Sequence, residues 1–215
     1  MINEIIASSS SGNAILLANG ILLDCGIAYG KIKKYLPKVK IIFISHTHQD
    51  HCKDSTIKKI VFEYPNIKYI TNQVNTQHLV DLGVNKKSIF ALEIEKWYDI
   101  GICKVKLEYL IHDTSNCALK IDDKGEKMIY IVDTATVDHI KAKNYDFAYI
   151  EGNYETDEEL DMKIEQDKLE NKYSHYERVR YTHLSQVQAL NWLQENNIKN
   201  YEFIHQHIER EGNTN

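Results

Sequence analysis

Short apolar runs separated by polar turns fill the first part of the chain, and their spacing predicts strands. NEII (3–6) and NAILLA (13–18) flank the loop SSSSG, and GILLDCG (20–26) follows as a third strand. KVKIIFI (38–44) is rich in β-branched residues and almost continuously apolar, the pattern of a strand covered on both faces. The period then changes. Ile57, Ile60, Val61 and Tyr64 recur at helical spacing from Asp54 until Pro65 stops the helix. IKYI (67–70) is a short strand, and Val74, His78, Leu79 and Leu82 predict a second helix ended by Gly83.

In the second half, ICKVKLEYLIH (102–112) alternates from Cys103. Cys103, Val105, Leu107, Tyr109 and Ile111 are therefore predicted to share one face of a half-buried strand. CALKI and MIYIVD flank DDKGEK as a hairpin, and FAYIEGN (147–153) is a further strand. Thr156 with Glu159 predicts a capping box opening an exposed acidic helix with Leu160, Ile164 and Leu169. THLSQVQALNWLQE reads as a last helix with an apolar stripe through Leu184, Val187, Leu190 and Leu193, and YEFIHQHIE as the final strand. Strands alternating with helices give an α/β chain. Its polar singularities, Asp24, His46 to His51, His112, Asp133, Glu151 and His205/His207, fall just past strand ends, where α/β folds place their chemistry.

Composition narrows the picture. The 215 residues, 43% hydrophobic and 27% charged, fit one domain spanning 1–215, with an acidic helical insert at about 155–175. A net charge of −5 is not that of a chain binding nucleic acid non-specifically, although Lys31, Lys33, Lys34, Lys38 and Lys40 form a local basic run. No cationic leader precedes an apolar stretch, and no run nears the roughly 18 apolar residues of a spanning helix. No membrane association is expected. Cys25, Cys52, Cys103 and Cys117 lack CxxC pairing, so free thiols in a reducing cytoplasm are expected.

The chemistry concentrates in SHTHQDHC (45–52), directly after the predicted buried strand. A His-x-His pair there aims two imidazoles, His46 and His48, at one ion. Asp50 and His51, next in the same turn, face a second ion at about 3.5–4 Å. Imidazole with carboxylate suits Zn²⁺, Mn²⁺ or Fe²⁺ better than Ca²⁺ or Mg²⁺. The loop Ser10–Asn13, through Ser11 and Asn13, offers hydroxyls and backbone N–H groups to a phosphate.

SHTHQDHC resembles the HxHxDH signature of the metallo-β-lactamase superfamily. SSSSGNAILL with ILLDCG is similar to the opening of its small bacterial and phage exonuclease-like branch. LIHDTSN, YIVDTA, IEGNY and THLS resemble later landmarks of that branch in order, so the likeness spans about residues 5–210. It implies a four-layered αβ/βα sandwich holding two divalent metal ions, zinc or manganese. His46, His48 and His112 would hold one ion; Asp50, His51 and a late histidine the other; Asp133 would bridge them. For the late histidine, HIEREGNT resembles the family's terminal motif and favours His207 over His205. His183 would contact the scissile phosphate and protonate the leaving oxygen, as in the phosphodiesterase branches, while Asp50 both ligates and orients the attacking hydroxide. The activity implied is phosphodiester hydrolysis, with DNA or RNA the first expectation and a small cyclic nucleotide the alternative. Acyl chemistry on the same fold ranks below both. A non-catalytic metal-bound module, forming a homodimer through the acidic insert, is the reading from a different class.

Overall fold

The computed structural model describes residues 3–174 and 176–206. Two six-stranded sheets face each other. The first comprises β1 (Glu4–Ser9), β2 (Gly12–Leu16), β3 (Ile21–Leu23), β4 (Ile41–Phe43), β5 (Lys68–Asn72) and β6 (Ile89–Leu92), hydrogen-bonded in chain order. The second comprises β7 (Trp97–Asp99), β8 (Lys104–Leu110), β9 (Asn116–Asp123), β10 (Glu126–Ile131), β11 (Phe147–Glu151) and β12 (Tyr201–Ile204), again in order. Antiparallel hairpins open the first sheet, and its later strands run parallel; β10, β11 and β12 are parallel in the second.

Strand alternation builds the layers. In β3 and β4, Ile21, Leu23, Ile41 and Phe43 enter the core between the sheets. Leu22 and Ile42 turn the other way, under α1 (Tyr29–Ile32), α2 (Asp54–Glu63) and α3 (Thr76–Asp81). KVKIIFI is thus apolar on both faces because both faces are covered. Beyond the second sheet, α6 (Gln186–Glu195) and the segment from Val137 to Ala142 cover Ala118, Ile129, Ile131, Ala148 and Ile150. The result is a helix–sheet–sheet–helix sandwich of the layering expected. A separate small cluster of Tyr154, Leu160, Ile164, Tyr176 and Val179 joins α4 (Asp157–Leu169) to α5 (Tyr176–Thr182), beside the main body.

Local signals held where backbone chemistry decides. Lys124 (φ 57°) and Gly125 (φ 97°) form the two-residue turn of the β9–β10 hairpin, with Asp123 opposite Glu126. Thr156 Oγ1 accepts from Glu159 N at 3.1 Å, but the Glu159 carboxylate pairs with Lys163 and makes no return bond; the reciprocal box forms at Ser185 and Gln188. Two faces differ from expectation. Along β8 and the residues flanking it, Cys103, Val105 and Leu107 are buried, whereas Tyr109 and Ile111 are 52% and 42% exposed. Past Leu107 the opposite face is buried instead: Leu110 lies under the helical layer, and Glu108 pairs with the buried Lys120. In α6, Val187 and Leu190 are 45% and 42% exposed, and the buried stripe is Ala189, Trp192, Leu193 and Asn196. The indole decides this: Trp192 Nε1 donates to the Ile140 carbonyl at 2.9 Å and fills the layer that a leucine stripe would have filled.

Candidate metal centre

Every strand that feeds the site ends on, or within three residues before, a chemically active side chain. β3 ends before Asp24, β4 before His46, β8 before His112, β10 before Asp133 and β12 before His205, while Glu151 is the last residue of β11. Asp24, Asp133 and His205 have positive φ (56°, 51° and 53°), so the chain leaves the sheet at those residues and turns their side chains into one cleft. Such conformations cost of order 1–3 kcal/mol each and persist where the surroundings enforce them. The HxHxDH loop closes directly onto the end of β3. A Cβ at Gly26 would lie 1.7 Å from the Asp50 carbonyl oxygen, so no other residue fits there. Asn13 braces the same carbonyl: its Nδ2 donates to Asp50 O at 3.2 Å and to Ser9 O at 3.0 Å.

Two groups of ligand atoms share one residue. His46, His48, His112 and Asp133 form the first, and Asp50, His51, Asp133 and His205 the second, all atoms in each lying within 4.8 Å of one another. Asp133 Oδ2 is 3.4 Å from His46 Nε2, 3.2 Å from His51 Nε2 and 3.8 Å from His112 Nε2, while its Oδ1 is 3.2 Å from His205 Nδ1. Asp50 Oδ2 lies 3.3 Å from His51 Nε2 and 3.2 Å from His205 Nε2.

The outer nitrogens of three imidazoles are already engaged. His112 Nδ1 donates to the Thr182 carbonyl at 3.0 Å, His51 Nδ1 donates to Asp24 Oδ2 at 2.7 Å, and His46 Nδ1 lies 3.0 Å from Ser45 Oγ. Each ring is thereby fixed with Nε2 facing the cleft, the support that metal-binding histidines require. Asp24 is itself held by Ser45 N, Ser45 Oγ and the Tyr130 hydroxyl, at 2.8, 2.9 and 2.7 Å.

Two buried atoms test whether these residues fit metal ions. His46 Nε2 and Asp133 Oδ1 are buried without any hydrogen-bond partner. Inward-facing orphans at the shared carboxylate and at the most buried imidazole are costly in a protein interior unless a cation satisfies them. The donor set, five imidazoles and two carboxylates, suits borderline divalent metals. The residues fit.

Electrostatics divide the histidines. Burial, reinforced by His51, holds His46 well below the ordinary imidazole range, and burial likewise lowers His112. For His51 burial acts the same way, but Asp133 and Asp24 outweigh it and hold the ring well above that range. For His205, Asp133, Asp50 and Glu151 overcome burial and raise it to about 10. Asp133 stays ionised despite burial because His205 and His51 face it.

Beside the ligands, His183 Nδ1 is 2.6 Å from Glu151 Oε1. Glu151 overcomes the burial of this ring and raises its affinity for a proton. His183 does not begin the last helix, as the pattern suggested: its N–H donates to the Val179 carbonyl, so it closes α5, and Ser185 caps α6. A cleft of about 300 Å³ opens over the cluster, lined also by Ser10, Arg178 and Thr182. Ser10, rather than Ser11, reaches it, because Ser11 at the hairpin tip turns to Ser9 Oγ at 2.8 Å. Asn13 is buried, and its Nδ2 braces the loop backbone and lies 3.1 Å from His51 Nε2 instead of lining the cleft. His207 lies outside the described residues; among those described, His205 is the imidazole that follows β12 into the second group.

Sequence reasoning did not assign Asp24, Glu151, Asp113 or Arg178. Position past a strand end marked Asp24 and Glu151. Arg178 pairs with Asp113, which also stands 3.3 Å from His48 Nε2 and 3.2 Å from His112 Nε2, a tertiary arrangement without a local signal. Cys52, Asp54 and His78 also gather, but burial keeps the Cys52 thiol protonated, which leaves a 3.0 Å His78–Asp54 ion pair. In the basic run, Lys33 is engaged by Glu63 at 3.2 Å. No helix among the described residues is long and apolar enough to cross a membrane.

Comparison with known proteins adds family and fold. A family model described as a beta-lactamase superfamily domain matches residues 19–206. The molecule is similar to the metallo-beta-lactamase fold protein YhfI from Bacillus subtilis, at 16% identity and a TM-score of 0.73, covering 95% of this chain and 86% of that one. It is similar to the short form of human tRNase Z at 14% identity and a TM-score of 0.72, covering 97% and 93%. It is also similar to Zn²⁺-bound PqqB from Methylobacterium extorquens, at 11% identity and a TM-score of 0.71, covering 96% and 89%. At these identities the likeness is one of fold. No curated protein matches the sequence.

Proposed function

The chain belongs to the β-lactamase superfamily, and from that premise we propose that it is a metal-dependent phosphodiesterase acting on a nucleic acid or a nucleotide. The observation that carries this reading is the His183–Glu151 pair. An imidazole held at 2.6 Å by a fully buried carboxylate, which raises its affinity for a proton, stands at the cleft beside Asp133, and acyl hydrolysis has no evident use for it there.

His46, His48, His112 and Asp133 would hold one divalent ion, and Asp50, His51, Asp133 and His205 the other. When bound, such ions make water acidic enough to ionise near neutral pH and neutralise charge on phosphoryl oxygens. The chain supplies the rest. Asp50, with its side chain 24% exposed to the cleft, accepts a hydrogen bond from the attacking oxygen nucleophile and orients it. Arg178, at the cleft wall on α5, presents a guanidinium fork to non-bridging phosphate oxygens when it leaves Asp113. His183 carries a proton held by Glu151 and delivers it to the departing oxygen. Zinc in the PqqB structure and the tRNase Z name of another neighbour support metal and substrate class respectively. The exonuclease-like SSGN and THLS stretches support a nuclease within that class.

The test is hydrolysis of bis-p-nitrophenyl phosphate by folded protein loaded with Zn²⁺ or Mn²⁺. Turnover that falls by about 10²–10⁴ in His183→Ala is expected for loss of a general acid. Absence of turnover with either metal overturns the reading. Salt dependence separates the two substrates: a polymer releases many counterions on binding, so its affinity drops steeply with salt, and a cyclic mononucleotide's does not.

A further inference from the structure

Positive charge is distributed unevenly along the chain. Residues 28–88, which form α1 to α3 and the connections around them over the first sheet, carry eleven lysines and no arginine against four acidic residues, a net charge of +7. The rest of the chain therefore carries −12. Pairing differs as well. Among the described residues, the one ion pair those eleven lysines make is that of Lys33 with Glu63. Elsewhere, six of the twelve lysines and both described arginines are paired. The other acids of the layer are engaged too: Asp54 by His78 at 3.0 Å, Asp81 by Gln77 at 2.8 Å, and Asp50 in the second ligand group. A single-sign face that the protein does not neutralise itself attracts a polyanion.

This lysine layer starts at the metal site. Cys25 N donates to the His51 carbonyl at 2.7 Å and Lys53 N to the Cys25 carbonyl at 3.0 Å, so α2 begins at the HxHxDH loop. From there Lys31 and Lys58 stand exposed on α1 and α2. Lys38, Lys40 and Lys68 stand exposed at the entry to β4 and β5, the end of the sheet away from the cleft. The segment 155–182, which walls the cleft through Arg178, Val179 and Thr182, carries nine acidic residues against five lysines and arginines. A polyanion leaving the cleft is repelled on that flank and drawn over the lysines.

We propose that the lysine layer over the first sheet docks the backbone of a single-stranded nucleic acid whose end lies in the metal cleft. Lysine ammonium groups are point charges without a fixed fork, suited to following phosphates irrespective of the bases. The cleft, of about 300 Å³, selects a single strand, because His46 and His51 at its floor have no exposed surface and a duplex is too wide to bring a phosphate to them. The placement of the strand's end rests on the phosphodiesterase reading. The inference adds the surface and selects the polymer over the cyclic mononucleotide.

The experiment is fluorescence anisotropy of a labelled oligonucleotide with a cleavage-resistant phosphorothioate backbone, titrated with zinc-loaded protein over a series of salt concentrations. Each phosphate contact on a single strand adds about 0.7 to the slope of log affinity against log salt. Lys31→Gln, Lys38→Gln and Lys58→Gln combined are therefore expected to weaken binding and to remove about two from that slope. The charge-matched control, Lys127→Gln, Lys143→Gln and Lys199→Gln at other exposed lysines, is expected to leave the slope unchanged. Retained zinc shows that both variants are folded. No binding by the wild type, or equal slopes in the two variants, overturns the proposal. A dimer that the first variant alone dissociates, with no oligonucleotide bound, also overturns it and assigns the layer to the acidic segment of a second copy. Lysine-dependent binding without hydrolysis of bis-p-nitrophenyl phosphate would refute the phosphodiesterase reading and leave the surface standing. Hydrolysis without lysine-dependent binding would do the reverse. DNA and RNA in separate arms identify which strand the surface prefers.

Discussion

Metal loading is predicted to expel protons, and the structure says from which residues. In the metal-free protein His205 is raised to about 10 by Asp133, Asp50 and Glu151, and His51 is held well above the ordinary range by Asp133 and Asp24. Both rings are therefore protonated at pH 7.5, and both must surrender the cleft-facing proton to coordinate an ion. His46 and His112 are lowered by burial, are already neutral at that pH and release nothing. Stripping a proton from a group at about 10 costs about 3.4 kcal/mol at pH 7.5. The sign follows: raised groups hold the competing proton below their folded pKa, so zinc affinity climbs as pH rises from 7 and levels off near 10. Each such group contributes about a tenfold gain per pH unit in that window. Calorimetry at pH 7.5 in buffers of differing ionisation enthalpy counts the protons. About two from the histidines are expected, plus any lost by bound water. His205→Ala should reduce the count by about one. A count below one in the wild type, or an equal count in the variant, would refute the assignment of charge within the cluster.

Asp24→Asn is predicted to weaken zinc binding about 10- to 100-fold in chelator competition, because it loosens His51 without removing a ligand; unchanged affinity would count against the supporting role. Gly26→Ala should displace the HxHxDH loop, since its Cβ would overlap the Asp50 carbonyl at 1.7 Å, and the expected readout is protein that folds poorly or retains no metal. Trp192→Ala should cost about 3–5 kcal/mol in denaturant unfolding, and Trp192→Phe, which loses chiefly the bond to Ile140 O, about 1 kcal/mol. Equal losses in the two would show that the hydrogen bond, and not the packing, matters at this position.

How far the sequence could be read follows from the range of the forces involved. KVKIIFI, the Lys124–Gly125 turn and the α2 helix were legible because strand period, turn chemistry and helix period act over a few residues. The same locality exposed SHTHQDHC, where four of the seven residues gathered in the two ligand groups stand in six consecutive positions. The misread faces were set by distant partners. Glu108 is buried because Lys120 on the neighbouring strand meets it, and α6 is rotated because the segment at Ile140 receives the Trp192 indole. Nothing within α6 separates a stripe through Val187 and Leu190 from one through Ala189 and Trp192 until that acceptor is in place. The site shows the same division. Which residues follow strand ends was visible, but which imidazoles are charged depends on carboxylates brought together from β3, β10 and β11. Asp133 joins both ligand groups because parallel pairing sets the ends of β10, β11 and β12 side by side, and positive φ at Asp133 and His205 then turns the chain inward at the same level. The chemistry is therefore a property of sheet register as much as of the residues themselves. A one-residue slip of β12 against β11 would direct His205 away from Asp133 and leave the second ligand group incomplete, with the composition of the chain unchanged.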